Sequence, residues 1–361
     1  MKFPSLILPE NPNFSCGPTR KPDGWSLTKL NQKFLGRYHR SSDVLEYINS
    51  VIETVRGTLH IPNNYGLKIV PGSATGAMES VIWSFLGERE VSSVVYDYWG
   101  LSWAEALKKN NLNINFNESL DGEIPFFKNI PKDNDFLIVW TGTSTGMSIN
   151  QLDFLNAEHE GLIICDLTSA TFIYDIPWEK IDIGIFSWQK ALGSEAQHGI
   201  VVMSPKAVKR LNKKQTKHIP KTLNLKNYSM PINTPSFLCF SDFEFCLDWF
   251  NRKGGISWSN KRCIENRNIL DKWSIENRFI SYFCKDQRYR SISPCFFKLE
   301  NISNDKFKKI ISFLDNEKIA YDIESYRKTE KGFRIWTGPT ILKKDLIRLT
   351  NWLDWTFDNI K

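Results

Sequence analysis

Apolar positions along this chain follow two alternating rhythms. Short runs at Leu67–Pro71, Ser92–Tyr96, Asp135–Trp140, 162–166, 182–187 and 199–203 are apolar with little alternation. Such runs predict strands buried on both faces. Between them lie stretches at helical spacing: residues 41–60, the set Ala77, Met78, Val81, Ile82, Phe85 and Leu86, and Trp103–Lys109. Strands that alternate with helices predict an α/β protein, a mainly parallel sheet covered by helices. The texture changes near residue 258. A helix over 258–273, strands at 293–299 and 333–337 separated by a helix at 304–316, and a final helix at 344–358 predict an α+β layer. The expected organisation is a large domain, 1–257, with an irregular arm over the Pro-, Asn- and Gly-rich residues 1–25. A small C-terminal domain, 258–361, follows. No internal repeat is visible.

Composition narrows this picture only slightly. With 361 residues, 41% hydrophobic and 13% aromatic, the chain can fill two cores. A net charge of +7 suits anionic substrates as well as nucleic acid and decides neither. Seven cysteines without C-x-x-C spacing, and no secretory leader, predict reduced thiols in a cytoplasm. No apolar run reaches the roughly 18 residues needed to span a bilayer. The five histidines have no zinc-ligand spacing, so no metal is expected.

Candidate chemistry collects at strand ends. Lys190, in Ser187-Trp188-Gln189-Lys190, follows one strand, and Asp166 ends another. One amine and one carboxylate on a shared sheet edge suit pyridoxal 5'-phosphate. That cofactor needs an amine for its Schiff base and an acid to hold its ring nitrogen protonated. Gly72-Ser73-Ala74-Thr75-Gly76, between a strand and a helix, could cradle a phosphate; it is neither a P-loop nor a Rossmann fingerprint. The hydroxyl-rich Thr141–Gly146 also follows a strand, where open α/β sheets bind ligands. Trp99 lies between a strand and a helix and could face a cofactor ring, although core packing is the commoner use of a tryptophan. His39-Arg40 could grip a doubly charged anion, or form an exposed basic turn. Arg334 sits in an apolar strand, where its charge needs a carboxylate ligand or a buried ion pair; Arg327 lies nearby. Residues Lys206 to Lys226 hold eight Lys or Arg and no acid. They read as a solvated loop over an anionic site, with nucleic-acid binding as the rival reading.

Taken together, these motifs resemble the phosphoserine aminotransferases, in the class V branch of fold-type I pyridoxal-phosphate enzymes. The matching runs are Asn13-Phe14-Ser15, Tyr38-His39-Arg40-Ser41, Pro71 to Glu79, Thr141 to Gly146, Cys165-Asp166, Ser187 to Lys190, Ile232-Asn233-Thr234-Pro235 and Arg334-Ile335-Trp336. The resemblance implies a seven-stranded large domain and a homodimer with shared active sites. It implies that Lys190 binds the cofactor and shuttles a proton, that Asp166 pairs with its ring nitrogen, and that Trp99 stacks on the ring. Thr143 would bond the ring oxygen, and Ala74, Thr75 and Gln189 the phosphate, with Asn233 and Thr234 reaching it from the second subunit. Arg334 would take the substrate α-carboxylate, while His39, Arg40 and Arg327 would take the substrate phosphate or side-chain carboxylate. Cys16 stands where many members have serine. The implied reaction moves an amino group between L-glutamate and 3-phosphohydroxypyruvate, giving O-phospho-L-serine and 2-oxoglutarate, with no nucleic-acid or membrane partner. Competing readings are another class V transaminase, such as serine–glyoxylate or alanine–glyoxylate aminotransferase, or a non-catalytic basic binding protein on the same scaffold.

Overall fold

The computed structural model describes residues 6–125, 130–149, 152, 158–214, 218–226, 231–232 and 234–360. Its first half alternates as the hydrophobic pattern requires: α1 (Ser42–Thr58), β1 (Gly66–Pro71), α2 (Ser73–Phe85), β2 (Val91–Val95), α3 (Tyr98–Lys109), β3 (Ile114–Glu118), β4 (Asp135–Val139), β5 (Ile163–Asp166), β6 (Ile183–Ser187), β7 (His198–Met203) and α4 (Pro205–Lys213). The seven strands form one sheet in the order β1-β7-β6-β5-β4-β2-β3. The pairs β6/β5, β5/β4, β4/β2 and β2/β3 are parallel, and β7 runs antiparallel to both β6 and β1. Six strands therefore point one way, and the carboxyl ends of β1, β2, β4, β5 and β6 open on a single edge.

The continuous apolar runs have a direct physical reading. Leu137 and Val139 pack towards one face with Met78, Val81 and Phe85 of α2. Phe136 and Ile138 pack towards the other with Val44, Ile48 and Val51 of α1. Side chains alternate between faces along a strand, and helices cover both faces, so neither set of positions can be polar.

The second half holds α5 (Phe237–Lys253), α6 (Gly255–Glu276), β8 (Ile280–Tyr282), β9 (Cys295–Leu299), α7 (Asn304–Asn316), β10 (Gly332–Ile335) and α8 (Lys343–Asn359). Strands β10-β9-β8 form a small antiparallel sheet. The break between α5 and α6 falls at Gly254 and Gly255, both at positive φ (112° and 62°), a conformation glycine adopts without a Cβ penalty.

Several elements differ from the sequence reading. Gly72 caps α2 at φ 86°, so Ser73 to Gly76 are the helix's first turn and not a loop ahead of it. Trp99 lies inside the first turn of α3, because Asp97 caps that helix by accepting from Gly100 N at 2.8 Å. Strands β3 and β8 carry too little periodic signal to be read as elements, and in α5 apolar residues off the core face blur the helical stripe. The basic run is no solvated loop at its start: Pro205–Lys213 is α4. There Arg210 pairs with buried Asp135 at 2.7 Å, and Lys206 with Asp182 at 3.1 Å. Two of the eight charges are therefore tied to acids of the large domain and do not simply face water.

Residues 6–25 contain no helix or regular strand, and the arm they form threads between the two sheets. Phe14 O accepts from Trp336 N at 3.0 Å, Pro12 O accepts from Tyr321 N at 2.8 Å, and Arg20 pairs with Asp345 at 3.1 Å. None of the seven cysteines forms a disulfide. Among the described residues, no helix is long and apolar enough to cross a membrane and no cluster of ligating side chains could hold a metal.

Candidate active site

At the carboxyl edge of the large sheet lies a cavity of about 210 Å³. It is lined by Ala74, Thr75, Trp99, Thr143, Asp166, Gln189, Lys190 and Arg334 of the expected set. They arrive from six separate parts of the chain, which is why only the fold can unite them.

Lys190 follows the end of β6. Trp188, fully buried, stacks on Phe243 of α5 with ring centres 4.1 Å apart, and its Nε1 donates to Glu195 O at 2.6 Å. Asp242 of α5 accepts from Ser194 Oγ (2.5 Å) and Glu195 N (2.6 Å), fixing the far side of the same turn. The arm fixes the near side, with Thr19 Oγ1 donating to Lys190 O at 2.5 Å. Lys190 Nζ donates to Cys16 O at 2.9 Å and to Thr143 Oγ1 at 3.3 Å, and Thr143 also bonds the hydroxyl of Ser169. Among the described residues no carboxylate forms an ion pair with the amine. Burial pushes its pKa down to about 8, with the Arg334 charge acting in the same direction.

Asp166 ends β5, paired in register with Val139 on one side and Ile185 on the other. Its Oδ1 accepts from Thr168 N (3.0 Å) and Thr168 Oγ1 (2.5 Å), and its Oδ2 accepts from Trp103 Nε1 (2.9 Å). Burial raises its pKa, while these donors and Lys190 oppose that shift. The carboxylate is thus desolvated and lacks a direct cationic partner.

At the α2 end, the amides of Gly72 and Ser73 go to Gln197 O, and the next two residues, Ala74 and Thr75, line the cavity. A helix start offers amides without intrahelical partners and a partial positive charge. Gln189 Oε1 is buried here without a partner. A Cβ on Gly76 would lie 1.9 Å from Pro71 O, so only glycine permits this turn.

Arg334 on β10 forms the opposite wall. Among the described residues no carboxylate pairs with it, its Nε is buried and unpartnered, and its guanidinium lies 5.0 Å from the ring centre of Tyr326. The buried-ion-pair alternative therefore has no support. Tyr326 in turn stacks on Trp99, with centres 5.7 Å apart at 23°.

The remaining expected residues lie elsewhere. His39 is half-buried, and its Nδ1 and Thr234 Oγ1 lie 3.1 Å apart; Arg40 is exposed. Arg327 is exposed and lies 5.6 Å from the Tyr326 ring centre. None of these four lines the cavity of its own chain, and Asn233 falls outside the described residues. Sequence reasoning missed Trp103, Thr168, Ser169 and Tyr326. Two of them carried a signal: Thr168 stands two residues after Asp166, where a side chain can close on the carboxylate. Trp103 stands four after Trp99, on the same helical face.

An amine, an acid, an aromatic wall and two separate anion sites describe a pocket for a phosphorylated aromatic aldehyde and a carboxylate substrate. Comparison with known proteins agrees. The chain is 37% identical over 366 residues to a phosphoserine aminotransferase of Methanosarcina mazei, covering 98% of this chain and 99% of that one. It belongs to the phosphoserine aminotransferase family. A second member, from Methanosarcina barkeri, is 36% identical over the same coverage. The fold matches that of a phosphoserine aminotransferase crystallised with PLP from Trichomonas vaginalis, with a TM-score of 0.79, 19% identity, and 96% and 100% of the two chains covered. No family model matches the chain. The likeness to members of this family spans nearly every residue, including the small C-terminal sheet that supplies Arg334.

Proposed function

We propose that this chain is a pyridoxal-phosphate-dependent phosphoserine aminotransferase, a cytoplasmic homodimer that exchanges an amino group between L-glutamate and 3-phosphohydroxypyruvate. One observation carries the reading. Buried Lys190 and Asp166 share a cavity bounded by a helix N-terminus at one end and an unpaired arginine at the other.

The residues present fit the cofactor. The first turn of α2, with Gln189, would hold its phosphate. Asp166 would meet its ring nitrogen, Thr143 its ring oxygen, and Trp99 its face. Bound there, pyridoxal phosphate supplies an electron-withdrawing ring that stabilises negative charge at the substrate α-carbon.

Everything else falls to the protein. Arg334 binds the substrate α-carboxylate, matching a planar cation to a planar anion in a site without a competing acid. That contact orients the α-hydrogen relative to Lys190. With a pKa lowered to about 8, the Lys190 amine is neutral in a useful fraction of molecules near neutrality, so it can take the α-proton and later return it. Cys16 O and Thr143 hold the amine on the cavity side. Asp166 accepts three hydrogen bonds, from Thr168 N, Thr168 Oγ1 and Trp103 Nε1, which favour its ionised form opposite the cofactor's ring N–H.

The contact between His39 and Thr234 bears on the dimer. The segments carrying them also carry the exposed Leu27, Leu35, Tyr38 and Leu238. An apolar surface of this kind fits a second copy of the chain. In that arrangement His39, Arg40 and Thr234 travel together to the other subunit's cavity, where they complete the phosphate and side-chain anion sites.

The deciding experiment compares phosphoserine with serine as amino donor while following the cofactor's visible absorbance. Phosphoserine is expected to bleach the band quickly and serine slowly. Equal rates would sink the phosphoserine assignment in favour of a transaminase for uncharged side chains.

A further inference from the structure

Asp166 is held on both oxygens, and the two sides differ in kind. Its Oδ1 is served by Thr168, two residues along the same loop. Its Oδ2 is served by Trp103 Nε1 at 2.9 Å, from another element altogether. Trp103 is buried, lies on α3 one turn after Trp99, and its ring centre is 6.3 Å from that of Trp99. One helix therefore supplies both the aromatic wall and the donor behind the acid. The helix is itself fixed by Asp97, which accepts from Gly100 N. Trp103 also lines the cavity, yet it is only 3% exposed, and its N–H donates to Asp166.

We propose that Trp103 is a positioning residue for Asp166: its indole N–H fixes Oδ2, keeps the buried carboxylate ionised, and sets which lone pair meets the cofactor's ring N–H. An indole suits this task. It donates one hydrogen bond and accepts none, so it cannot rotate to offer the carboxylate a lone pair, as a threonine or glutamine could. It carries no charge, so it does not compete with the cofactor for the acid as an arginine would. Hydrogen bonds to an ionised group are the strong ones, and in a desolvated site the loss of one is felt in full.

The inference rests on the proposed cofactor role of Asp166, and the test separates the two. Trp103 is replaced by phenylalanine and, separately, by benzothienylalanine, which keeps the bicyclic shape and lacks the N–H. The first readout is the carboxyl titration of Asp166 in the cofactor-free protein, followed by infrared difference spectroscopy against Asp166→Asn. The second is the dissociation constant for pyridoxal phosphate. Both replacements are expected to raise the Asp166 titration midpoint by about one pH unit and to weaken cofactor binding roughly tenfold. If the phenylalanine variant fails to fold, the isosteric one decides. A benzothienyl variant with wild-type titration and affinity overturns the inference and leaves Trp103 as packing. An Asp166→Asn protein that binds cofactor and turns over normally overturns the functional reading beneath it.

Discussion

Lys190 owes its chemistry to where it is buried. In an unfolded chain a lysine keeps its proton up to the ordinary value of 10.5, whereas here burial brings the pKa to about 8. The neutral amine is the reactive form, so the rate at which the cofactor-free protein captures a carbonyl compound should rise as pH increases through about 8. Stopped-flow absorbance from pH 6.5 to 10 checks this, and a midpoint above 9.5 would show that the amine is solvated. The same shift means the unfolded chain binds more protons between about 8 and 10.5, so this group adds stability as pH rises across that window. Lys190→Ala should abolish turnover and the visible absorbance together. At Arg334, exchange for glutamine removes the only cation on the β10 wall of the cavity. KM for both amino acids should rise tenfold to a hundredfold, the usual range for a lost hydrogen bond to a charged group, with kcat falling less. An unchanged KM would place the carboxylate site elsewhere.

At the scale of elements, the start of α2 is the least forgiving part of the site. Gly76 packs against Pro71 so closely that a methyl group cannot enter without moving backbone. Gly76→Ala should cost about 3 kcal/mol of stability and most of the cofactor affinity, measured by chemical denaturation and by fluorescence titration. A variant with near-normal affinity would mean the turn can relax. This element also shows where sequence reading succeeds and fails. The motif 72–76 was legible as a strand-to-helix turn because glycines and small residues flank a strand end. That its residues are helical was not, since the αL cap at Gly72 leaves no mark in the apolar pattern. Likewise in α5 the core positions Phe237, Phe240, Phe243, Cys246, Leu247 and Phe250 recur at helical spacing, but Leu238, Phe245 and Trp249 off that stripe blur the one-sided pattern that announces a helix. The basic segment misled for another reason. Charges paired with Asp135 and Asp182, distant in sequence, look the same on paper as charges facing water.

At the scale of the whole molecule, four of the expected residues stand away from the cavity of their own chain, as the proposed dimer requires of His39, Arg40 and Thr234. The resemblance assigns Thr234 to the second subunit's site, but it does not say in which copy of the chain His39, Arg40 and Arg327 serve. The contact between His39 and Thr234 ties two of them to one surface. The consequence can be measured. Lys190→Ala and His39→Ala chains, each inactive alone, should regain activity when co-expressed. Half the random dimers then carry one intact site, about a quarter of wild-type activity. No recovery would put His39 and Lys190 in the same subunit's site.

The arm has a temporal consequence. Residues 12 to 20 touch the lysine turn on one side and Tyr321, Trp336 and Asp345 on the other, so this arm cannot be anchored until a segment more than 300 residues further along the chain has been synthesised. A ribosome-bound chain that has not yet released residue 345 has no closed chamber around its reactive amine.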